Sequence, residues 1–198
     1  MTLHLSWPLR LGLAILTAIG GFLWLETAWT AYQADTALSQ ARALQHQGQA
    51  DRALRVLETA QRLASGNAEL ALEAGNLHLV GYLLEGEPAR LEEGIGQYSR
   101  ATQLNPLEPF YPASLGQALL LAGRFDRAEE ALERALPGDP HNLEYLWWMG
   151  RAKEGQGDLR AAREFLRRAL EVREDPRVRA DLLRLGEMLS TPRSGVGR

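Results

Sequence analysis

The chain has no cysteine, which excludes disulfide bonds, thiolate nucleophiles and thiolate metal sites. It also lacks a GxxxxGK[ST] phosphate loop, a GxSxG nucleophile elbow and an HExxH zinc motif. The acidic pairs Glu92–Glu93 and Glu129–Glu130 fall on solvated faces of predicted outer helices. The few histidines are scattered: His4, His46, His78 and His141. The sequence therefore predicts a protein that is not an enzyme and binds no cofactor or metal.

An excess of positive charge is also missing, since 22 Lys and Arg stand against 25 Asp and Glu, a net charge of −3. This balance excludes the broad electropositive surface that is typical of nucleic-acid-binding proteins. β-Branched residues are few, and Ala, Leu, Arg and Glu dominate, a composition that favours helices. There is no proline between Pro8 and Pro88 to interrupt them. We predict an all-α fold.

The longest hydrophobic segment lies near the N-terminus. Residues Leu11–Leu25 form a run of 15 without charge, bounded by Arg10 and Glu26. With its apolar and aromatic flanks the run reaches roughly 20–25 residues, enough to cross a bilayer. Residues 1–33 are therefore predicted to be a membrane anchor with a short cytoplasmic flank. Two alternatives are a cleaved signal peptide, for which no well-placed small-x-small site is found, and a buried or interfacial helix.

The charges around this segment favour one orientation. Arg10 precedes it, and the next basic residue is Arg42. Because positive charge accumulates on the cytoplasmic side, the N-terminus is predicted to be cytoplasmic and the C-terminal part exported. No helix breaker separates Tyr32 from Asp35. We therefore expect the anchor to continue as a helix into the first soluble helix, near residues 35–47.

A repeat follows the anchor. Its clearest copy is residues 109–142, where two short amphipathic segments meet at Gly123. Three columns recur with spacings of 41, 34 and 34 residues: a small residue (Ala53, Gly94, Ala128, Ala162), a large one (Leu57, Tyr98, Leu132, Leu166) and an alanine (Ala60, Ala101, Ala135, Ala169). Small residues allow two helices to approach closely while large ones fill the space around them.

This pattern resembles the tetratricopeptide-repeat (TPR) family over roughly residues 34–189. The register places repeats at about 34–67, 68–108, 109–142 and 143–176, a capping helix at 177–190 and a disordered tail at 191–198. Pro140 is predicted to end the second helix of the third repeat. The second repeat carries seven extra residues around Leu84–Arg90, predicted to form a loop in place of a tight turn. The expected fold is a transmembrane helix followed by an α-solenoid of about four repeats with a C-terminal cap.

A narrower resemblance concerns the membrane helix, the alanine-rich first repeat and the stretches NPLEPFYPASLGQALLLAGRFDRAE and LEYLWWMGR. Together they are similar to the periplasmic tail of bacterial O-antigen ligase/polymerase-type membrane proteins. The many membrane helices that carry that family's chemistry are not in this sequence. The resemblance thus implies a single-pass protein of the bacterial inner membrane, with periplasmic repeats and a role beside glycan assembly rather than in glycosyl transfer.

The TPR resemblance also implies a binding site. In that family the first helix of each repeat lines a concave groove, mainly through positions 2, 5, 9 and 12, and the groove binds a protein or peptide. The candidate groove residues are Arg42, Leu72, Asn76, Phe110, Gln117, Leu120, Glu144, Trp147 and Arg151.

Leu72, Asn76 and Trp147 indicate what kind of ligand the groove is expected to bind. Chaperone-binding members clamp a terminal carboxylate with Lys and Asn at positions 5 and 9, but here only Asn76 matches, beside the apolar Leu72. A carboxylate clamp is therefore not expected. Trp147 is the strongest candidate for partner contact. The alternative is that its ring only covers the joint with the capping helix.

Two classes of function remain open from the sequence. The first is a membrane-tethered scaffold that binds a protein partner through the groove. The second is a structural accessory subunit of a larger membrane complex, which contacts its neighbours through the transmembrane helix. The sequence names no partner, and self-association of the repeats also stays open.

Overall fold

The computed structural model describes residues 7–190. This part of the chain contains nine α-helices and no β-strand: α1 (Trp7–His46), α2 (Ala50–Leu63), α3 (Ala68–Glu85), α4 (Pro88–Leu104), α5 (Phe110–Leu121), α6 (Phe125–Ala135), α7 (Leu143–Gly155), α8 (Leu159–Val172) and α9 (Pro176–Ser190). The predicted all-α fold is confirmed. The far end of the cytoplasmic flank and the predicted C-terminal tail lie outside the described residues.

The chain divides into two compact units, residues 1–70 and 71–198. In the first unit α1 and α2 pack as a hairpin that turns at Gly48, whose φ of 72° suits a residue without a Cβ. The helix α1 has 40 residues, so it is about 60 Å long. As expected, the apolar run continues without a break into the first helix of the repeats.

The two ends of α1 have different surroundings. Ala34, Leu38 and Ala41 are buried, whereas the residues from Ala14 to Trp29 are exposed. By length and composition α1 contains the one helical stretch among the described residues that is able to span a membrane, Ala14–His46. Exposure of an apolar surface of this size is typical of a helix that meets lipid or another protein.

In the second unit, glycines on the first helix of each repeat receive large side chains from the second helix. A Cβ added to Gly116 would lie 2.7 Å from Cγ of Leu132, and one added to Gly150 would lie 2.8 Å from Cδ2 of Leu166. The same relation joins Gly75 to Tyr98, at 2.7 Å from Cε1. Tyr98, Leu132 and Leu166 form the large-residue column of the repeat pattern, and each fills the space that a glycine of the first helix leaves.

The prediction of a loop around residues 84–90 is wrong. The helix α3 continues to Glu85, Gly86 forms the turn with φ 74°, and α4 begins at Pro88. These two helices have 18 and 17 residues, against 12 and 11 in α5 and α6, so the insertion lengthens both helices. The physical reason is local: glycine readily ends a helix, and proline fits the first turn of the next.

Pro140 does not end the second helix of the third repeat. The helix α6 stops at Ala135, ahead of Pro137, whose nitrogen carries no hydrogen to extend the helical ladder. The chain then passes through turns to Asn142, whose Oδ1 accepts hydrogen bonds from the backbone N–H groups of Glu144 and Tyr145, at 3.1 and 3.3 Å. This cap starts α7.

The last helix, α9, closes the second unit. Its residues Val178 and Leu185 have no exposed surface, and both belong to the apolar cluster formed by Leu143, Leu146, Ala162, Leu166 and Ala169. Buried apolar contact of this kind stabilises the terminal helix pair α7–α8. The helix therefore acts as the predicted cap.

Candidate functional site

A hollow of about 190 Å³ lies between the first helices of repeats 3 and 4 and the start of α9. We call it the α5–α7 hollow. Its lining residues are Gln117, Leu120, Leu121, Glu144, Trp147, Trp148, Arg151 and Arg177. It thus brings together five of the predicted groove residues: Gln117, Leu120, Glu144, Trp147 and Arg151.

The helix α7 provides one wall of this hollow. Glu144, Trp147 and Arg151 are separated by three and four residues, so they lie along one face of the helix. Behind them, Leu146 and Met149 are fully buried and hold the helix in place. The wall is therefore part of a rigid, packed element rather than a loop.

Trp147 is tied to the capping helix. Its Nε1 donates a hydrogen bond to Oδ2 of Asp181 at 2.8 Å. The guanidinium carbon of Arg177 lies 4.5 Å from the ring centroid and that of Arg151 lies 5.7 Å away, both within reach of a cation–π interaction. The ring thus occupies the joint between α7 and α9, as the alternative interpretation of the sequence proposes. It is half-buried and still lines the hollow.

Trp148 has a different role. It packs on Ala113, Ala135 and Tyr145, and its ring stacks on that of Tyr145 with 6.1 Å between centroids. Burial, followed by the nearby negative charge of Asp139, raises the pKa of the Tyr145 phenol. Trp148 therefore joins α7 to the third repeat while one part of it faces the hollow.

A network of ion pairs surrounds the joint. The Arg177 guanidinium donates to Oδ2 of Asp175 at 2.9 Å and to Oε1 of Glu144 at 2.7 Å. The hydrogen bonds from Arg177 lower the pKa of the Asp175 carboxyl to about 2. Arg184 pairs with Glu154 and, at 2.9 Å, with Asp181. The carboxylates near Trp147 are thus matched by arginines of α9.

Arg151 stands apart from this network. Its side chain is exposed, it contacts the Trp147 ring, and within residues 7–190 it makes no ion pair. On the other side of α7, Lys153 pairs with Glu129, and hydrogen bonds from Lys153 and Gln156 lower the pKa of that carboxyl. The hollow therefore presents a cation that the described residues leave available to an anionic group of a ligand.

Three lining residues are not among the nine groove candidates: Leu121, Trp148 and Arg177. The first two fall outside the four groove positions that the family resemblance implies. Arg177 belongs to α9, which was treated only as a cap. Asp181, however, lies 34 residues after Trp147, so one more period of the repeat places α9 as the first helix of a further repeat. This spacing in the sequence was enough to predict that residues at the start of α9, including Arg177, line the same surface as the first helices of the repeats.

The two groove candidates of repeat 2 make contacts within that repeat. Oδ1 of Asn76 accepts a hydrogen bond from the Tyr98 hydroxyl at 2.9 Å, and its Nδ2 donates to Oε2 of Glu73 at 3.4 Å. Burial raises the pKa of Tyr98, so its hydroxyl stays a donor. Leu72 is half-buried against the apolar cluster that includes Leu91. Neither candidate lines the α5–α7 hollow.

The last two candidates lie elsewhere. Phe110, the first residue of α5, is 47% exposed. Arg42 belongs to the N-terminal unit, where its Nη2 donates to Oε1 of Glu69 at 2.9 Å, and both side chains are about half exposed. Neither lines the hollow. Among the described residues, no group of three or more His, Cys, Asp or Glu side chains is placed to hold a metal ion.

Comparison with known proteins identifies the repeats. Sequence profiles of the tetratricopeptide repeat match residues 34–59, 89–142 and 119–184, which together make up more than half of the chain. The chain belongs to the tetratricopeptide-repeat family. The family predicted from the spacing of small and large residues is confirmed, and the fold is that of a protein-interaction scaffold. The narrower resemblance to O-antigen ligase-type proteins stays a prediction.

Solved structures have the same fold. MamA 41-end from Desulfovibrio magneticus RS-1 is 17% identical with a TM-score of 0.69, over 79% of this chain and 85% of that one. The first TPR of Spaghetti (RPAP3), bound to HSP90 peptide SRMEEVD, is 21% identical with a TM-score of 0.56, over 63% and 94%. The Arabidopsis OM64 TPR domain is 22% identical with a TM-score of 0.55, over 61% and 94%.

Proposed function

We propose that this protein is a non-catalytic scaffold that α1 tethers to a membrane and that binds a segment of a partner protein in the α5–α7 hollow. One observation carries the proposal. Five side chains chosen from the repeat register, on two helices that are 22 residues or more apart in sequence, line one hollow. Their alignment on rigid helices is what a binding surface of this family requires.

The lining indicates what the segment should contain. Leu120, Leu121 and the two tryptophans offer an apolar surface, and a hollow of about 190 Å³ has room for one side chain rather than a folded domain. Arg151 adds an exposed guanidinium at the edge. We infer a short segment in which one large apolar side chain is followed or preceded by a carboxylate. The peptide-bound TPR relative supports a peptide as the ligand class.

The setting we propose is the bacterial inner membrane, with the repeats on the periplasmic side. Two observations support the tether: the exposed apolar surface of α1 from Ala14 to Leu25, and the length of α1, about 60 Å. The orientation rests on Arg10, which precedes the apolar run. A role beside O-antigen or exopolysaccharide assembly rests on the narrower sequence resemblance.

A peptide selection tests the scaffold function. The intact chain, purified in mild detergent, would be used to select binders from a displayed random peptide library. We expect selected peptides to share a large apolar residue next to Asp or Glu. Leu120→Glu and Arg151→Glu should each weaken binding at least tenfold, whereas Arg167→Glu, an exposed arginine of α8, should not. Equal binding by all variants would refute the assignment of the hollow.

The second candidate is an accessory subunit that contacts its complex through α1. The exposed surface of α1 carries small residues, among them Ala14, Ala18 and Gly21, which allow another helix to approach closely. A complex isolated in mild detergent from its own membrane would separate the two functions. Loss of a partner on Gly21→Leu but not on Leu120→Glu would favour the subunit, and the reverse would favour the scaffold.

A further inference from the structure

The N-terminal unit contains a larger hollow that the proposed function does not use. It lies between α1 and α2 and has a volume of about 750 Å³, within the range of roughly 300–1,000 Å³ that small-molecule sites occupy. We call it the α1–α2 hollow. Its lining extends along α1 from Trp29 to Leu44 and along α2 from Arg52 to Leu63.

One end of this hollow is apolar and exposed. Trp29, Tyr32 and Leu63 are 60%, 63% and 58% exposed, and the rings of Trp29 and Tyr32 stack with 5.9 Å between centroids. Trp29 is also the last residue of the exposed stretch of α1 that begins at Ala14, in which Glu26 is the one charged residue. The apolar lining is therefore continuous with the surface that is proposed to meet the bilayer, and stacked aromatics at that point are typical of a membrane interface.

The other end of the hollow is cationic. Arg52 and Arg55 are both exposed, and among the described residues they are the charged members of the lining, which includes no carboxylate. Nη1 of Arg52 donates to Oε1 of Gln49 at 2.7 Å, a neutral acceptor rather than a carboxylate. Because α1 and α2 form a hairpin that turns at Gly48, these arginines lie toward the turn, away from Trp29 and Leu63.

We propose that the α1–α2 hollow binds one anionic phospholipid, with its acyl chains against Trp29, Tyr32 and Leu63 and its phosphate at Arg52 and Arg55. The order of the lining, from apolar to cationic along the direction in which α1 leaves the bilayer, is the order of chain and headgroup in a leaflet. A second protein copy would not require this order. The proposal rests on the membrane tether of the proposed function but not on the α5–α7 hollow.

Lipid retention by the intact chain tests the site. The protein in mild detergent would be mixed with phosphatidylglycerol or phosphatidylcholine, and bound lipid counted by native mass spectrometry. We expect the wild type to retain one phosphatidylglycerol in preference to phosphatidylcholine. Arg52→Gln with Arg55→Gln should reduce that retention about tenfold or more. Arg160→Gln with Arg167→Gln, the same loss of charge on exposed positions of α8, should leave it unchanged.

Two further variants keep the test decisive. Leu63→Ser should reduce retention of both lipids, because the apolar end is shared by their chains, and helix content from circular dichroism checks that each variant is folded. Equal retention of phosphatidylglycerol by the wild type and the Arg52/Arg55 variant would overturn the proposal. A wild-type dimer without bound lipid that becomes a monomer in Leu63→Ser would also overturn the proposal, since a second copy would then cover the hollow.

Vesicle flotation distinguishes this proposal from the membrane tether. If the chain floats with phosphatidylcholine vesicles while the wild type and the Arg52/Arg55 variant retain phosphatidylglycerol equally, the lipid site is refuted and the tether is supported. If the chain does not float with any vesicle, the tether fails and the lipid site fails with it. Peptide binding in the α5–α7 hollow is unaffected by either result.

Discussion

The hydroxyl of Tyr98 donates a hydrogen bond to Oδ1 of Asn76 across 2.9 Å, joining the second helix of repeat 2 to its first. The three other repeats have leucine in place of Tyr98. A tyrosine is therefore accommodated only because a polar partner meets its hydroxyl inside the repeat. Asn76 is that partner, and its side chain is committed to the fold.

Asn76→Ala should accordingly reduce stability rather than partner binding. The substitution leaves the buried Tyr98 hydroxyl without its acceptor, which costs about 1–3 kcal/mol in the free energy of unfolding. Urea denaturation of the intact chain in detergent would measure this loss. Tyr98→Phe removes the hydroxyl that needs an acceptor. Asn76→Ala should therefore cost less stability in a Tyr98→Phe background than in the wild type. Strictly additive losses would show that the hydrogen bond contributes nothing.

The glycines of the repeats should differ in their tolerance of alanine. At Gly150 a Cβ would lie 2.8 Å from Cδ2 of Leu166 and 3.3 Å from the backbone oxygen of Ala162, so α7 and α8 must move apart. We expect Gly150→Ala to destabilise the protein by about 1–3 kcal/mol. Gly96 on α4 has no atom within 4 Å of the added Cβ. Gly96→Ala should therefore stabilise the helix by about 0.5–1 kcal/mol, and urea denaturation of both variants would check the opposite signs.

Trp147→Ala should release the capping helix. It removes the hydrogen bond to Asp181 and the contact with the Arg177 guanidinium, two of the contacts that hold α9 against α7. Hydrogen exchange followed by mass spectrometry should show faster exchange throughout α9, while α5 and α6 keep their protection. Trp147→Phe keeps the ring but not the N–H, and should give a smaller increase. Unchanged exchange in α9 would mean that buried Val178 and Leu185, with the ion pairs of Arg177 and Arg184, hold the cap without Trp147.

The same joint should weaken in acid. The folded-state pKa of Asp175, about 2, is below the usual value of about 3.9 for an unfolded chain. A lowered pKa adds stability that is complete above the unfolded value and disappears as the pH falls through the folded one. The protection factors of the α9 amides, which are the exchange rates corrected for the intrinsic rate at each pH, should therefore fall between about pH 4 and pH 2. Asp175→Asn should show low protection factors in α9 already at pH 6 and a smaller fall over that window.

Peptide binding offers the matching test at the α5–α7 hollow. Gln117→Ala truncates a half-buried lining residue whose side chain makes no hydrogen bond to the rest of the described residues, so it should lower the affinity of a selected peptide by about three- to tenfold with little effect on unfolding. Asn76→Ala should do the opposite and leave that affinity within about twofold. Isothermal titration calorimetry would compare the two variants. A larger affinity loss from Asn76→Ala would place the binding surface in repeat 2.

The sequence was a reliable guide wherever one helix contacts its neighbour in the chain. The meeting of Gly116 with Leu132 and of Gly150 with Leu166 follows from a spacing of 16 residues, because two short helices and a tight turn leave little freedom in register. The insertion in repeat 2 was misread for a related reason. Its seven extra residues predict a loop, because insertions in repeats commonly form loops, whereas Gly86 and Pro88 lie at positions that favour a helix end and a helix start.

The sequence by itself determined the family, the all-helical fold, the continuity of α1 and the positions where helices pack, because these depend on short-range periodicity and on side-chain size. Only the tertiary structure decided which groove candidates are available. Asn76 and Trp147 occupy groove positions, yet each is engaged by a residue 22 or 34 positions away, Tyr98 and Asp181. A hydrogen bond depends on distance and direction between two side chains, and these are defined only once the helices have packed.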